Sequence, residues 1–190
     1  MSETLILAKV AVHELDWEIA KRYSSNLSEK LRSVDGFIGF SLWRSVADPV
    51  QHLMIYRYRD ERAADEGLKA IANDKFLTEA QTIPLSPPDV VRMKAAGYDG
   101  ETLEASDHSC FLSLSVRVAE PGYGVELGEE LKRIFAELRL LPGYVGSIYG
   151  PHDTLDEELI GIVIWRSEAA FRSSLPDTVV YEVKLYRRII

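Results

Sequence analysis

The tetrapeptide Gly36–Gly39 (GFIG) recurs 107 residues later as Gly143–Gly146 (GYVG). At the same offset, the pair Tyr58–Arg59 corresponds to Trp165–Arg166. A supersecondary unit that occurs twice at a fixed spacing indicates two similar half-domains in one chain. We therefore expect a pseudo-symmetric protein built from two units of about 90 to 100 residues each.

The apolar segments that open the two copies align best at an offset of 106. This alignment matches Val10 and Val12 with Val116 and Val118. Elsewhere the offset stays at 107, as for Glu61 with Glu168.

Composition excludes some classes of function and favours others. The 190 residues carry a formal net charge of −8, and their lysines and arginines are scattered, which argues against nucleic-acid binding. No apolar run approaches the roughly 20 residues of a membrane helix, so no membrane partner is expected. Cys110 is the only cysteine, so no internal disulfide forms. The start of the chain lacks the pattern of a secretory signal, and we expect a cytoplasmic protein.

Hydrophobic periodicity predicts the order β-α-β-β-α-β in the first copy. A helix with one apolar stripe follows Asp16, which we expect to cap it, and Asp35-Gly36 ends it. Asp60 is expected to cap the second helix. The predicted strands are Leu5–Val12, Phe37–Trp43, His52–Arg59 and Val90–Lys94.

The second copy repeats this order with a shorter second helix. In the first copy about 31 residues, at 60–90, separate the third and fourth strands. In the second copy only about 13 residues do so, at 167–179, and Pro176 interrupts this connection. The polar, glycine-containing stretch before His108 reads as a linker. We expect a first repeat at 1–98, a linker at 99–108 and a second repeat at 109–190. The predicted strands of the second copy are Phe111–Val118, Tyr144–Tyr149, Leu159–Trp165 and Val179–Tyr186.

The central strands do not alternate between apolar and polar residues, as Leu159–Trp165 (LIGIVIW) illustrates. A sheet with one wet face alternates, so both faces of these sheets are expected to be covered. Helices cover one face, and the other sheet is the obvious cover for the second. The predicted fold class is α+β: two ferredoxin-like βαββαβ repeats forming a single-chain pseudo-dimeric α+β barrel.

These residues resemble the antibiotic-biosynthesis monooxygenase-like family of dimeric α+β barrels. The resemblance is carried by the Gly-Phe/Tyr-Ile/Val-Gly turn and by the apolar third strand that ends in Tyr58–Ala64 (YRDERAA) or Trp165–Phe171 (WRSEAAF). In that family two chains usually form the barrel. The resemblance implies cofactor-independent oxygenase chemistry on phenols and quinols for some members, and haem degradation for others.

The haem-degrading branch can be tested against the stretch from Asn73 to Gln81. In that branch a histidine ends the corresponding segment and ligates iron, whereas this chain has Gln81 there, and an amide is a poor iron ligand. The branch's pocket tryptophan aligns with Gly67, and its first-strand asparagine has no match. We therefore expect no bound cofactor.

The candidate site residues come from the strands of the predicted barrel. His52 begins the third strand and is the predicted catalytic base; a strand-end histidine with no chemical role is the plain alternative. Trp43, Tyr56, Tyr58 and Trp165 are the predicted substrate-binding residues, since flat walls suit a planar ligand, although sheet aromatics are commonly core packing. No metal motif is present, because no two histidines are spaced for one helix face.

Two functions are compatible with this sequence. The first is a cofactor-independent monooxygenase-like enzyme acting on a small aromatic compound of phenol or quinol type. The second is a non-catalytic small-molecule-binding or interaction barrel. If there is one working site, we expect it in the first copy, with residues 73–81 able to close over it. Arg57, on an apolar strand, needs exposure at the strand end, an acidic partner inside or a ligand anion, and we expect exposure first. A homo-oligomer is compatible with the tandem arrangement.

Overall fold

The computed structural model describes residues 2–72, 83–101, 103, 107–155, 157–176 and 182–190. The chain divides into two compact units. The first unit is Met1–Arg92 together with Ile189–Ile190, and the second is Met93–Arg188. The predicted segment 73–81, and residues 179–181 of the predicted last strand, lie outside the described residues.

The first unit has a four-stranded sheet with two helices packed on one face. Its strand order is β4-β1-β3-β2, and β3 pairs antiparallel with both β1 and β2. Leu27 and Leu31 of α1 and Ala63 of α2 pack against Tyr56 and Tyr58 of β3. The elements in chain order are β1 (Thr4–Ala11), a 3-10 turn (Glu14–Asp16), α1 (Trp17–Leu31), β2 (Phe37–Ser45), β3 (Gln51–Tyr58), α2 (Glu61–Ala72) and β4 (Asp89–Lys94), which runs into the second unit.

The second unit has a five-stranded sheet in the order β9-β6-β8-β7-β5. Leu131 and Phe135 of the long helix and Phe171 of the short one pack against Val163 and Trp165 of the sheet. The elements are β5 (Gly97–Gly100), β6 (Phe111–Val118), α3 (Gly124–Leu138), β7 (Tyr144–Pro151), β8 (Glu158–Trp165), α4 (Glu168–Ser174) and β9 (Val183–Arg188).

Both units follow the order β-α-β-β-α-β, and the predicted α+β class with two ferredoxin-like repeats is confirmed. The short strand β5 is an addition. It pairs antiparallel with β7, with Gly97 opposite Tyr149. The predicted first repeat ends at residue 98, whereas the second unit of the structure begins at Met93.

Strand pairing is the same in both units at an offset of 107. Thr4 faces Tyr58 in the first unit, and Phe111 faces Trp165 in the second. The register also shifts at the same place, between Phe37 and Gly39 in β2 and at the corresponding residues of β7. The offset of 106 predicted for the first strands is therefore wrong. A shift of one residue exchanges the two faces of a strand, so the true counterpart of Val10 is Arg117 and not Val116.

The repeated glycine turn has a steric cause. Gly36 and Gly143 have φ angles of 84° and 83°, which favour glycine. A Cβ placed on Gly36 would lie 2.7 Å from Cβ of Ala63, and one on Gly143 would lie 2.5 Å from Cβ of Ala170. The turn and the second helix of each unit touch at this point, which explains why the glycine and the alanine recur together.

The two second helices begin with matching side-chain caps. Oδ1 of Asp60 accepts a hydrogen bond from the N–H of Ala63 at 2.9 Å, as predicted, and Oγ of Ser167 accepts one from Ala170 at 3.1 Å. The prediction for Asp16 is wrong, because its side chain makes no capping hydrogen bond. The chain enters α1 through the 3-10 turn instead, where Nδ1 of His13 accepts from the backbone N–H of Leu15.

Two further sequence expectations have clear outcomes. The shorter second helix of the second unit is present: α4 has 7 residues, against 12 in α2. Arg57, expected at the surface, is buried, and its Nη2 lies 2.7 Å from Oε2 of Glu3. A guanidinium on this strand thus stays inside because a carboxylate compensates its charge.

None of the helices in the described ranges is both long enough and apolar enough to cross a bilayer.

Candidate functional site

Each unit contains a cavity between its helices and its sheet. The cavity of the first unit is small, about 90 Å³. It is almost wholly apolar, and α1, β1, β2 and β3 contribute to its walls. Its lining includes Val10, Ala20, Leu27, Leu42, Met54 and Pro84. A volume of this size is far below the roughly 300 Å³ at which small-molecule sites begin.

The cavity of the second unit is much larger, about 480 Å³, and we call it the second-unit cavity. It lies over strands β6, β8 and β9, between α3 and α4. Aliphatic side chains and three aromatic ones form the apolar part of its wall, and serine, arginine and glutamate side chains form the polar part. Its lining includes Ser113, Ser115, Arg117, Glu130, Val163, Trp165 and Phe171. The volume and the mixed lining are those of a small-molecule site.

The difference in volume follows from side-chain size and helix length. Tyr56 occupies the helix-facing side of β3, and its counterpart on β8 is Val163, which lines the second-unit cavity. The second helix also covers five fewer residues in this unit. A smaller side chain and a shorter helix leave space that the first unit fills.

Three polar residues alternate along β6 and face this space: Ser113, Ser115 and Arg117. Residues two apart on a strand share a face. At the constant offset of 107, their counterparts in β1 are the apolar residues Ile6, Ala8 and Val10. The second unit therefore carries a polar row where the first carries a hydrophobic one.

The polar row is tied to the surrounding structure by named contacts. Nε1 of Trp165 donates to Oγ of Ser113 at 3.0 Å, so the hydroxyl proton of Ser113 is left to donate elsewhere. Oγ of Ser115 donates to the carbonyl oxygen of Gly161 at 3.4 Å. Nη1 of Arg117 lies 3.9 Å from Oε1 of Glu130. The side chain of Arg117 is 12% exposed and that of Glu130 is 52% exposed, so the side chain of Arg117 is largely shielded from solvent.

His52, the predicted base, lies in the first unit and lines neither cavity. Its side chain is 2% exposed and stacks on Trp17, with ring centroids 4.2 Å apart. Nδ1 lies 2.9 Å from the carbonyl oxygen of Val50, which can only accept, so Nδ1 carries the proton. Nε2 is left as a buried acceptor with no hydrogen-bond partner among the described residues.

The environment of His52 favours the neutral imidazole. Burial lowers the pKa of His52 from 6.5 to about 4, and the bond to Val50 offsets this only in part. A general base works best with a pKa near the operating pH, so this histidine is a weak base in the structure as it stands.

The predicted aromatic residues of the first unit lie on two different faces of its sheet. Trp43 pairs with Leu53 and so points away from the face that carries His52, Tyr56 and Tyr58. Trp43 is fully buried and donates from Nε1 to Oγ of Ser41 at 2.8 Å.

Tyr56 and Tyr58 pack in the hydrophobic core under α1 and α2. The hydroxyl of Tyr56 donates to the sulfur of Met54, and burial raises the pKa of Tyr56 above its ordinary range. Burial also raises the pKa of Tyr58 to about 12, and its hydroxyl has no partner among the described residues. A Cβ on Gly67 would lie 2.4 Å from this hydroxyl, so helix α2 sits directly over the ring. The ring of Tyr56 fills space that lies open over Val163 in the second unit, whereas the counterpart of Tyr58 is Trp165, another large ring.

Trp165 is the one predicted substrate-binding residue that lines the second-unit cavity. The sequence analysis missed Ser113, Ser115 and Arg117. The signal was available: keeping the offset at 107 through the first strand places these residues opposite Val163, Gly161 and Leu159, as the observed ladder does.

The residues of the second-unit cavity can be compared with the needs of a haem group. Haem iron is held by imidazole, thiolate, thioether or phenolate side chains. Among the described lining residues of this cavity none has such a group, so these residues do not fit an axial ligand. Within the described part of the chain, no cluster of three or more His, Cys, Asp or Glu side chains is arranged to hold a metal ion.

Comparison with known proteins gives structural matches only. No protein-family model and no curated protein matches the sequence. A "putative monooxygenase" from Lactobacillus acidophilus NCFM superimposes with a TM-score of 0.77 at 14% identity, covering 99% of this chain and 94% of the other. An anthrone oxidase-like protein gives a TM-score of 0.68 at 13% identity, with coverage of 100% and 92%.

A third match is a ferredoxin-fold protein from Listeria monocytogenes related to antibiotic biosynthesis monooxygenases. Its TM-score is 0.57 at 9% identity, with coverage of 100% of this chain and 95% of the other. These identities are too low to transfer an activity, but the alignments run through both units of the chain. The chain therefore has the fold of the antibiotic-biosynthesis-monooxygenase-like ferredoxin-fold proteins.

Proposed function

We propose that this protein is a monooxygenase-like enzyme that oxidises a small aromatic compound of phenol or quinol type in the second-unit cavity, without a resident cofactor. The observation that carries the proposal is the cavity itself: about 480 Å³, with Trp165 and Phe171 on its wall and a polar row along β6. Flat apolar walls with a few placed polar groups are the usual features of a site for a planar ligand.

The names of the structural relatives support the reaction class. They include a "putative monooxygenase" and an anthrone oxidase-like protein, and anthrones are flat tricyclic ketones whose enol tautomers are phenols. A shared fold licenses a hypothesis about chemistry and no more, so the argument rests on the side chains of the cavity.

The proposed reaction is balanced with O2 as the second substrate. A base removes a proton from the ring system, which leaves an electron-rich carbanion in conjugation with the phenolic oxygen. This carbanion adds O2 by electron transfer and recombination, and the peroxide takes up a proton. The peroxide then loses water, so one oxygen atom becomes a new carbonyl group and the other leaves as water.

The side chains of the cavity have separate roles in this proposal. The hydroxyl proton of Ser113 donates to the developing oxyanion, because Oγ already accepts from Trp165. The carboxylate of Glu130 lines the same cavity and takes the substrate proton. His52 remains the alternative base predicted from the sequence. Trp43, Tyr56 and Tyr58 likewise remain substrate-binding residues predicted from the sequence.

Oxygen uptake by purified protein with anthrone and a panel of quinols tests the proposal. We expect uptake by the wild type, and a loss of about 10²-fold or more in Glu130→Gln, the size typical of a missing general base. Glu129→Gln is the matched control, since Glu129 neighbours Glu130 but does not line the cavity. If His52→Leu loses activity while Glu130→Gln keeps it, His52 is the base.

The second candidate is a non-catalytic small-molecule-binding protein. It is favoured by the burial of His52, the other candidate base, because burial lowers the pKa of this histidine to about 4 and makes it poorly suited to accept a proton. Tight binding of aromatic compounds with no uptake of oxygen would support it. If none of the panel binds and none is oxidised, the cavity is not a site for these compounds and the proposal fails.

A further inference from the structure

Two serine hydroxyls of the polar row offer opposite hydrogen-bonding groups to the second-unit cavity. Ser113 is buried, and its Oγ accepts a hydrogen bond from Nε1 of Trp165. Among the described residues this hydroxyl makes no other hydrogen bond, so its proton is left without an acceptor beside the cavity. A buried donor that stays unsatisfied is costly, and an oxygen atom of a ligand would satisfy it.

Ser115 offers an acceptor in place of a donor. Its Oγ donates to the carbonyl oxygen of Gly161 at 3.4 Å, longer than the usual O–H···O distance of about 2.5 to 3.0 Å. Because the proton is directed to Gly161, the lone pairs of Oγ are left to accept a hydrogen bond. A Cβ placed on Gly161 would lie 2.9 Å from Oγ of Ser115 and 2.8 Å from Cζ of Phe135. The absence of a side chain at Gly161 therefore leaves this hydroxyl its space.

The spacing of the two hydroxyls bears on the class of ligand. Ser113 and Ser115 are two residues apart on β6, so they share a face and their Cα atoms are about 6.6 Å apart. Oxygen atoms at opposite ends of a six-membered aromatic ring span a comparable distance, whereas those on adjacent carbons lie much closer together. The counterparts of the two serines in the first unit are Ile6 and Ala8, so the pair of hydroxyls is not a requirement of the fold.

On these grounds, and resting on the proposed function, we infer that the substrate carries oxygen groups at opposite ends of one aromatic ring, as a para-quinol does, and that Ser115 selects for the second of them. Ser113 donates to the oxygen that becomes the oxyanion. Ser115 accepts from the hydroxyl group at the other end of the ring. A phenol with a single oxygen satisfies Ser113 and leaves Ser115 without its partner.

Binding in the absence of oxygen tests the inference, because the compounds are then not oxidised. The probes are naphthalene-1,4-diol and 4-methyl-1-naphthol, in which a methyl group replaces the second hydroxyl, and calorimetry measures their affinities. We expect the wild type to bind the diol about tenfold more tightly, since the methyl compound forfeits one hydrogen bond. Ser115→Ala should abolish this preference and bind 4-methyl-1-naphthol as the wild type does.

Two further variants separate the roles of the hydroxyls. Ser113→Ala should weaken both compounds alike, because both present the first oxygen, and a loss confined to the diol would overturn the placement of that oxygen. Ser173→Ala is the matched control and should change neither affinity, because it removes a hydroxyl from an exposed position of α4 that does not line the cavity.

The comparison of the two compounds in the wild type needs no variant, so the inference stays testable if Ser115→Ala does not fold. Equal affinities of the wild type would overturn the inference, and a preference kept by Ser115→Ala would overturn the role of Ser115. Failure of both compounds to bind would also overturn it. The proposed function fails separately, when the protein takes up no oxygen with anthrone or any quinol of the panel.

Discussion

The helix-facing surfaces of β3 and β8 occupy the same place in the two units and are built in opposite ways. On β3 the residues are large, and Tyr56 and Tyr58 fill the space beneath the helices. On β8 the counterpart of Tyr56 is Val163, and a cavity lies over it. Aromatic residues on a sheet can mark a filled core, and a small residue in a repeated position can mark the ligand site.

The largest effects are expected when Tyr56 and Val163 are each replaced by the residue at the corresponding position of the other unit. Tyr56→Val should lower the free energy of unfolding by roughly 2 to 4 kcal/mol, because it leaves a hole in a packed core. Val163→Tyr should cost no more than about 1 kcal/mol, because its ring enters open space, and it should weaken aromatic ligands at least tenfold. Denaturant unfolding and ligand titration measure both effects.

If Val163→Tyr destabilises the protein as much as Tyr56→Val does, the cavity is not open and the comparison fails. Ile162→Val serves as a control for Val163→Tyr, since Ile162 is fully buried on the same strand but does not line the cavity. It should show only the cost of a lost methylene, about 1 kcal/mol, with no change in binding.

A second difference between the units is the buried histidine, whose counterpart on β8 is Leu159. The folded pKa of His52 is about 4 and the unfolded value is 6.5, so the unfolded chain binds the extra proton first as pH falls. The contribution of His52 to the free energy of unfolding is therefore fully present above about pH 6.5. It falls by on the order of 2 to 3 kcal/mol as the pH is lowered to 4.

Unfolding free energies at several pH values, for wild type and His52→Leu, check this expectation. The carboxylates titrate in both proteins, so the difference between the two curves isolates the histidine. Parallel curves between pH 6.5 and 4 would show that His52 is protonated as easily in the folded protein as in the unfolded chain.

The smallest expected effects concern the features that the units share. Ser167→Ala should cost about 1 kcal/mol, and Asp60→Ala should also destabilise the protein, since each removes a side-chain cap from a second helix. Asp16→Ala is the matched control and should cost less than about 0.5 kcal/mol, because Asp16 makes no capping bond. Chemical denaturation of the three variants measures the costs, and a large loss in Asp16→Ala would contradict this account of helix α1.

Most of the fold could be predicted because its determinants are local. Gly36, Asp60 and the apolar stripe of each long helix act within a few residues, and each gives a pattern that the sequence displays directly. The class, the order of elements and the shorter helix of the second unit followed from these patterns. The added strand β5 did not, because its four residues contain two glycines and carry no strand pattern.

The candidate site was harder to predict, for two physical reasons. The predicted alignment matched Val10 with Val116 and not with Arg117, and a shift of one residue exchanges the two faces of a strand. The volume of a cavity is also the space that the helices and sheet enclose minus the volume of the side chains inside it. The hydrophobic pattern of the sequence does not report this difference, because Tyr56 and Val163 both read as apolar strand residues. Trp165 was identified because it is large, although the cavity exists because Val163 is small.

The identical register of the two hairpins, with the same shift after the glycine turn, has a consequence for engineering. Residues 37–58 and 144–165 have the same length and present each position to the same neighbours of their own unit. Either hairpin should therefore be exchangeable for the other without insertion or deletion. Such an exchange would bring valine to the position of Tyr56, but it would leave behind the polar row of β6 and the short helix α4, which lie outside residues 144–165.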